Sequence, residues 1–196
     1  MTQPTGRIAD HPVAGIFTQR WSPRAFTDAQ IPDSDLMTIF EAARWAPSAS
    51  NLQPWRMIYC KRGADNFDNF VAALNPGNQV WAKSAAALVC FASKTTLTRD
   101  GAEVPSQSHA LDTGAAWMAF ALQATMLGWY AHGMIGFNHQ AMREALGAPE
   151  GFALNLCAAV GRPGPKTLLP EAVAAREIPS HRQPLAEIVF AGRMGQ

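Results

Sequence analysis

Between Thr113 and Met134 the chain contains no Asp, Glu, Lys or Arg. About 20 predominantly apolar residues suffice to cross a bilayer, so this run either spans a membrane or fills a protein interior. Its own residues favour the interior. Gly114, Gln123, Thr125, Gly128, His132 and Gly133 interrupt it, Asp112 stands where a helix N-cap belongs, and Gly128 stands where a helix stops. A helix apolar on every side is what the centre of a larger core requires. The sequence therefore predicts a buried central helix from Asp112 to near Gly128 and no membrane span. With 196 residues and 48% apolar content, a single domain over 1–196 is expected, large enough to bury such a core.

The second constraint is the stretch Ala46–Trp55, APSASNLQPW. Leu36, Ile39, Phe40 and Ala43 recur at the spacing of a helix with one buried face. Pro47 disfavours helical backbone at Ala46, so the helix stops there. Pro32, Asp33 and Ser34 mark its start, with Asp33 or Ser34 as the expected cap. Trp55 to Cys60 then reads as a strand. Between two prolines the loop presents Ser48, Ser50, Asn51 and Gln53, donors and acceptors without net charge. Such a loop suits a planar polar ligand, and the same residue types also make an ordinary helix-to-strand connection.

Elsewhere the elements are coarser. Val13, Ile16 and Phe17 suggest a short first helix. Arg20-Trp21-Ser22-Pro23-Arg24 places two guanidiniums and a hydroxyl within five residues, which suits a phosphomonoester clamp or a solvated basic turn. Residues 63–73 look amphipathic at helical spacing, Asn75-Pro76-Gly77 reads as a turn, and 85–91 as a buried strand. Residues 94–110 are polar, with little structure expected and His109 the member to watch. Asn138 is the expected cap of a helix over 142–147, 153–161 a strand, and 162–196 a proline-rich extended segment ending in an edge strand through Leu185, Ile188 and Val189.

Several classes lack support. No GxSxG elbow, GxGxxG or P-loop occurs. The five histidines are scattered without ligand spacing, so no metal is expected. A net charge of +1 without a basic run argues against nucleic acid. Cys60, Cys90 and Cys157 lie in apolar runs with no CxxC pair, and residues 1–12 hold no apolar stretch; free thiols in the cytoplasm are expected. With no evident nucleophile, acid pair or metal, a borrowed cofactor is the natural carrier of any reaction.

APSxxNxQPW after the helix ending EAARW resembles the signature of the FMN-dependent nitroreductase superfamily. Arg20 to Phe26 is similar to that family's opening motif, and Gly77-Asn78-Gln79-Val80-Trp81 to a GNxxW stretch of one branch. Leu111 to Ala116, with Leu122-Gln123-Ala124 and Gly128-Trp129, resembles its central helix, and His132 to Phe137 its GF loop. The blocks come in the family's order, from about Arg20 to near Arg182.

The resemblance implies an α+β nitroreductase-like fold, a central mainly antiparallel sheet surrounded by helices, in an intertwined homodimer whose 162–196 segment reaches the partner. It implies FMN in each interface crevice, with NAD(P)H delivering hydride to flavin N5 and a small oxidised acceptor, a nitroaromatic or quinone, taking it up. Dehydrogenase, dehalogenase or flavin-cleaving activity, or an FMN-binding sensor without turnover, share the same motifs. By resemblance Arg20, Ser22, Arg24 and Arg182 meet the phosphate and ribityl chain, and Trp21 covers part of the flavin or simply packs. Pro47, Ser48, Ala49, Ser50, Asn51, Gln53 and Asn78 hold the ring's polar edge. The backbone of Ile135 and Gly136 approaches the ring, the glycine making room. Ser180 stands where a lysine is common, which leaves Arg182 as the phosphate ligand of the tail. His132 is expected to be structural, and no side chain is assigned as acid or base.

Overall fold

A computed structural model describes residues 5–194. Its centre is a four-stranded sheet in the order β1 (Trp55–Lys61), β2 (Ala87–Lys94), β6 (Phe152–Gly161) and β5 (Tyr130–Met134), every neighbouring pair antiparallel. Side chains alternate between faces along a strand, and β2 uses both. Val89 and Phe91 pack on one side against Leu36, Ile39, Phe120 and Ala124. Leu88 and Cys90 pack on the other against Phe67, Phe70, Trp81 and Met142. The first face carries α2 (Asp33–Arg44) and α5 (His109–Met126); the second carries α3 (Phe67–Ala73), α4 (Pro76–Ala82) and α6 (His139–Leu146). A short α1 (Gly15–Gln19) precedes them, and a one-turn α7 (Glu171–Ala174) follows. This is the α+β, antiparallel-sheet architecture expected from the sequence. The three cysteines are buried free thiols.

The central helix ends as expected, with Leu127 at its C-cap and Gly128 at φ +75° just beyond. Its start differs. The helix begins at His109 after Ser108, which places Asp112 inside the first turn rather than at the cap. It is also not buried all round: Leu111 and Met126 stand 77% and 60% exposed on one face. Among the described residues no helix is long and apolar enough to cross a membrane.

Four other expectations are corrected. Asn75-Pro76-Gly77 opens α4 with proline at the first helical position, where its missing N–H costs nothing. Residues 94–110 fold into a hairpin, β3 (Thr96–Arg99) with β4 (Ala102–Pro105), closed by Asp100-Gly101. Both turn residues have positive φ, 52° and 81°, the geometry Asp-Gly favours between twisted strands. Pro32, not Asp33 or Ser34, occupies the N-cap of α2, and Asp33 instead pairs with Lys61 at 2.7 Å. Leu185–Glu187 forms a 3₁₀ turn instead of an edge strand, with Ile188 and Val189 exposed.

Candidate functional site

The opening segment is held by pairing to the end of β6. Phe26 bridges Pro163, Thr27 N–H donates to the Arg162 carbonyl at 2.9 Å, and Gly164 N–H donates to Ala25 O at 2.8 Å. From this anchored stretch Arg20 and Ser22 reach a cleft of about 460 Å³, shared with Arg182, Trp117, Met118 and Gly133. Arg20 Nη1 lies 3.3 Å from Ser22 Oγ, and Arg7 Nη1 donates to the Arg20 carbonyl at 2.7 Å. Burial lowers the pKa of Arg20 below its ordinary value, and the neighbouring Arg7 and Arg182 charges lower it further. Among the described residues none of these three guanidiniums pairs with a carboxylate. Two cations, Arg20 and Arg182, thus share the cleft with the half-buried Ser22 hydroxyl, and Arg7 backs Arg20 through its carbonyl, none of the three facing a carboxylate among the described residues.

Arg24 is placed differently. Its guanidinium lies 3.8 Å from Glu177, whose other oxygen accepts the Arg24 and Ala25 N–H groups at 2.7 and 2.8 Å. The side chain is already partnered and does not line the cleft. Trp21 lines a separate cavity of about 1080 Å³ and packs edge-on against Tyr130, ring centres 6.4 Å apart. His132 fastens the same segment from β5. Its ring sits on Trp81 with centres 4.6 Å apart, and Nδ1 donates to the Pro23 carbonyl at 3.0 Å. Desolvation, with a contribution from Arg24, drives the His132 pKa down to about 4, so the ring is neutral. This is the structural role its sequence context suggested.

The loop after α2 forms a second group. Ala49–Asn51 makes a 3₁₀ turn, and Ser50, Asn51 and Gln53 take left-handed backbone at φ 50°, 55° and 48°. Only asparagine among these adopts that region readily. Local bonds stabilise the turn: Gln53 N–H donates to Ser48 Oγ at 3.0 Å and Asn51 N–H to Ser48 O at 3.0 Å. Pro47, Ala49, Ser50, Asn51 and Gln53 are exposed, and no residue from 47 to 53 lines the arginine cleft. One chain therefore keeps the two predicted groups apart.

A third group surrounds the turn after β5. Gly136 O accepts from Asn75 N–H at 3.0 Å and from Asn78 Nδ2 at 2.9 Å. A Cβ at Gly136 would lie 3.0 Å from the amide nitrogens of both asparagines, so the glycine makes room for these two side chains. Asn78 thus serves as an anchor for Gly136, beside which Ile135 is 82% exposed.

Sequence reasoning passed over Arg7, Trp117, Met118, Gly133 and Glu177. Gly133 carried a signal, since a glycine within a strand marks close approach by something else. Its Cβ would lie 3.0 Å from the Trp117 ring. Nothing local distinguishes Trp117 from the other apolar residues of its helix.

A sequence model of the nitroreductase family matches residues 17–162. The chain belongs to the nitroreductase family. Its fold superposes on a crystal structure of an oxidoreductase containing FMN with a TM-score of 0.95 and 43% identity, covering 100% of this chain and 99% of the other. A protein of Archaeoglobus fulgidus, provisionally named an NADH dehydrogenase/NAD(P)H nitroreductase, is 32% identical over 152 residues, 76% of this chain and 83% of the relative. A Streptomyces coelicolor protein with the same provisional name is 35% identical over 89 residues, spanning 45% of this chain and 44% of that one. In this nitroreductase-family chain the matched region ends at Arg162, so the tail carrying Glu177 and Arg182 lies beyond it.

Proposed function

We propose that this chain is an FMN-dependent oxidoreductase that works as a cytoplasmic homodimer and reduces a small oxidised acceptor, a nitroaromatic or quinone, at the expense of NAD(P)H. The observation that carries this reading is the pair Arg20 and Arg182 beside Ser22, with Arg7 behind Arg20 and no carboxylate on any of the three among the described residues. A phosphomonoester brings between one and two negative charges and three acceptor oxygens, the complement of that donor set. The absent side chain at Gly133 leaves space against Trp117 that a Cβ would fill. Both features fit the phosphate end of FMN. When bound, FMN would supply the hydride and electron transfer between NAD(P)H and the acceptor.

The chain's own residues bind and orient. Arg20 and Arg182 neutralise the phosphate, with Arg7 reinforcing their field, and Ser22 adds a hydroxyl. Arg24 holds the opening segment through Glu177, and Trp21 packs on Tyr130 at its edge. Ser48, Ser50, Asn51, Gln53 and the backbone of Pro47 and Ala49 present uncharged donors and acceptors to the flavin's polar edge. Asn78 acts through Gly136, whose turn with Ile135 borders the ring. Because the loop is exposed and lines no part of the arginine cleft, we assign the two groups to one site built from two copies. The exposed apolar residues Leu111, Met118 and Met126 of α5, with Val13 and Phe17, are the surface the second copy covers. Residues 162–196 are the segment that reaches the partner, and the whole chain acts as one domain.

Titration of flavin-free protein with FMN tests the assignment. Each charge-assisted bond contributes about 1.5–3 kcal/mol. Arg20→Ala combined with Arg182→Ala therefore weakens FMN binding by about 100-fold or more while leaving the fold intact by circular dichroism. Unchanged affinity removes the phosphate assignment. Oxidation of NADH and NADPH with quinone and nitroaromatic acceptors then tests turnover; bound FMN without turnover on any pairing means a flavin sensor instead.

A further inference from the structure

The loop over residues 48–53 is exposed yet holds three non-glycine residues in left-handed backbone within four positions. Such conformations persist only where surrounding contacts over-determine them. The bonds inside the turn are local and travel with it. Three reach it or its flank from other elements. Arg56 Nη1 on β1 donates to Gln53 O at 3.3 Å, and Lys94 N–H on β2 donates to Pro54 O at 2.9 Å. At the other end of the loop, Ala49 N–H donates to Asp112 Oδ1 at 3.3 Å. Asp112 is 6% exposed, and its second oxygen accepts from Ser108 Oγ at 2.9 Å. The carboxylate is fixed by its own helix and turned out of it, toward a backbone 63 residues away.

We propose that Asp112 is a positioning residue, which sets the conformation of the 48–53 loop and through it the retention of FMN. The second half of that statement rests on the cofactor reading above. Asp112 lies on the helix that carries Trp117 and Met118 of the arginine cleft. Helix α5 therefore references both halves of the binding apparatus to one rigid element. The carboxylate is suited to this because it offers two acceptors at once, one for the loop and one for the hydroxyl. Asparagine preserves the arrangement: its oxygen accepts from Ala49 N–H while its amide donates to the Ser108 hydroxyl. Alanine abolishes it.

The test compares Asp112→Ala and Asp112→Asn with the wild type on full-length, flavin-free protein. Amide hydrogen exchange across residues 49–53 is measured first, then the FMN dissociation constant by flavin fluorescence. Asp112→Ala is expected to speed exchange at 49–53 and to raise the FMN dissociation constant, each by about tenfold, the equivalent of 1.4 kcal/mol. Asp112→Asn stays within about threefold of wild type in both. The pair Arg20→Ala and Arg182→Ala loses FMN without altering exchange at 49–53, which separates loop positioning from phosphate binding. Wild-type exchange in Asp112→Ala, or faster exchange with unchanged FMN affinity, overturns the proposal. A wild-type chain that takes up no FMN defeats the cofactor reading and the claim on retention, and the exchange data still decide whether Asp112 sets the loop. If alanine at 112 prevents folding, Ser108→Ala serves instead: it frees Oδ2 and raises exchange at 49–53 by a smaller factor, and no change there is refuting.

Discussion

Neutral His132 makes the stability of the fold depend on acidity in a window set by two numbers. In the unfolded chain a histidine titrates near 6.5, and in the folded chain His132 titrates at about 4. Between them the unfolded state binds a proton that the native state refuses, so stability rises with pH across that interval. Seen from neutrality, the contribution is fully present above 6.5, is lost progressively as pH falls toward 4, and is level below. At about 1.4 kcal/mol per pH unit the difference amounts to roughly 3 kcal/mol, a ceiling because the ring is only half-buried. Desolvation is the largest cause, then the Arg24 guanidinium, against the opposing pull of the Pro23 and Ser22 backbone. Asparagine at 132 supplies an uncharged N–H in place of Nδ1–H and has nothing to titrate. Urea unfolding of wild type and His132→Asn at pH 8, 6.5, 5 and 4 isolates the effect, since the carboxylates and the other histidines cancel in the difference. The gap between the two proteins should shift by about 2–3 kcal/mol from pH 8 to pH 4 in favour of the variant. Parallel pH profiles would refute the reasoning.

Two further substitutions probe packing and strain. Gly161→Ala puts a Cβ 2.5 Å from Phe26 Cδ1 and 2.7 Å from Cγ, so Phe26 must move; a loss of about 1–3 kcal/mol by urea unfolding is expected, and a neutral result refutes the crowding. Ser50→Gly releases a left-handed residue costing about 1–2 kcal/mol, partly offset by the greater entropy of unfolded glycine, so flavin-free protein should gain up to about 1 kcal/mol. A loss would mean that the serine side chain contributes more than the strain removes.

Much of the frame was legible because its signals are local. Pro47 stopping α2, Gly128 ending α5 and Asn138 accepting from Ala141 N–H at 3.0 Å are rules that act over a few residues. The hairpin at 96–105 carried an equally local signal in Asp100-Gly101, hidden by reading the segment for polarity rather than for turn geometry. Other features were not in the neighbourhood to be read. Asp112 looked like a cap because capping residues are acidic, whereas its partner is Ala49, brought close only by packing. Arg24 looked like a phosphate ligand because its motif is basic, whereas Glu177 claims it from 153 residues away. Leu185, Ile188 and Val189 have the composition of a strand, and among the described residues they pair with no strand. The site candidates divide the same way: the family motif points to both the loop and Arg20, and only the fold shows that they do not line one cleft within a chain.

The clasp between Glu177 and the backbone at Arg24 and Ala25 also orders events in time. Ribosomes add about 5–20 residues per second, so residue 24 is made roughly 8–30 s before the carboxylate that secures it. Through that interval the nascent chain holds Arg24 without its partner. The cleft is accordingly a late product of biosynthesis, finished from the far end of the polypeptide.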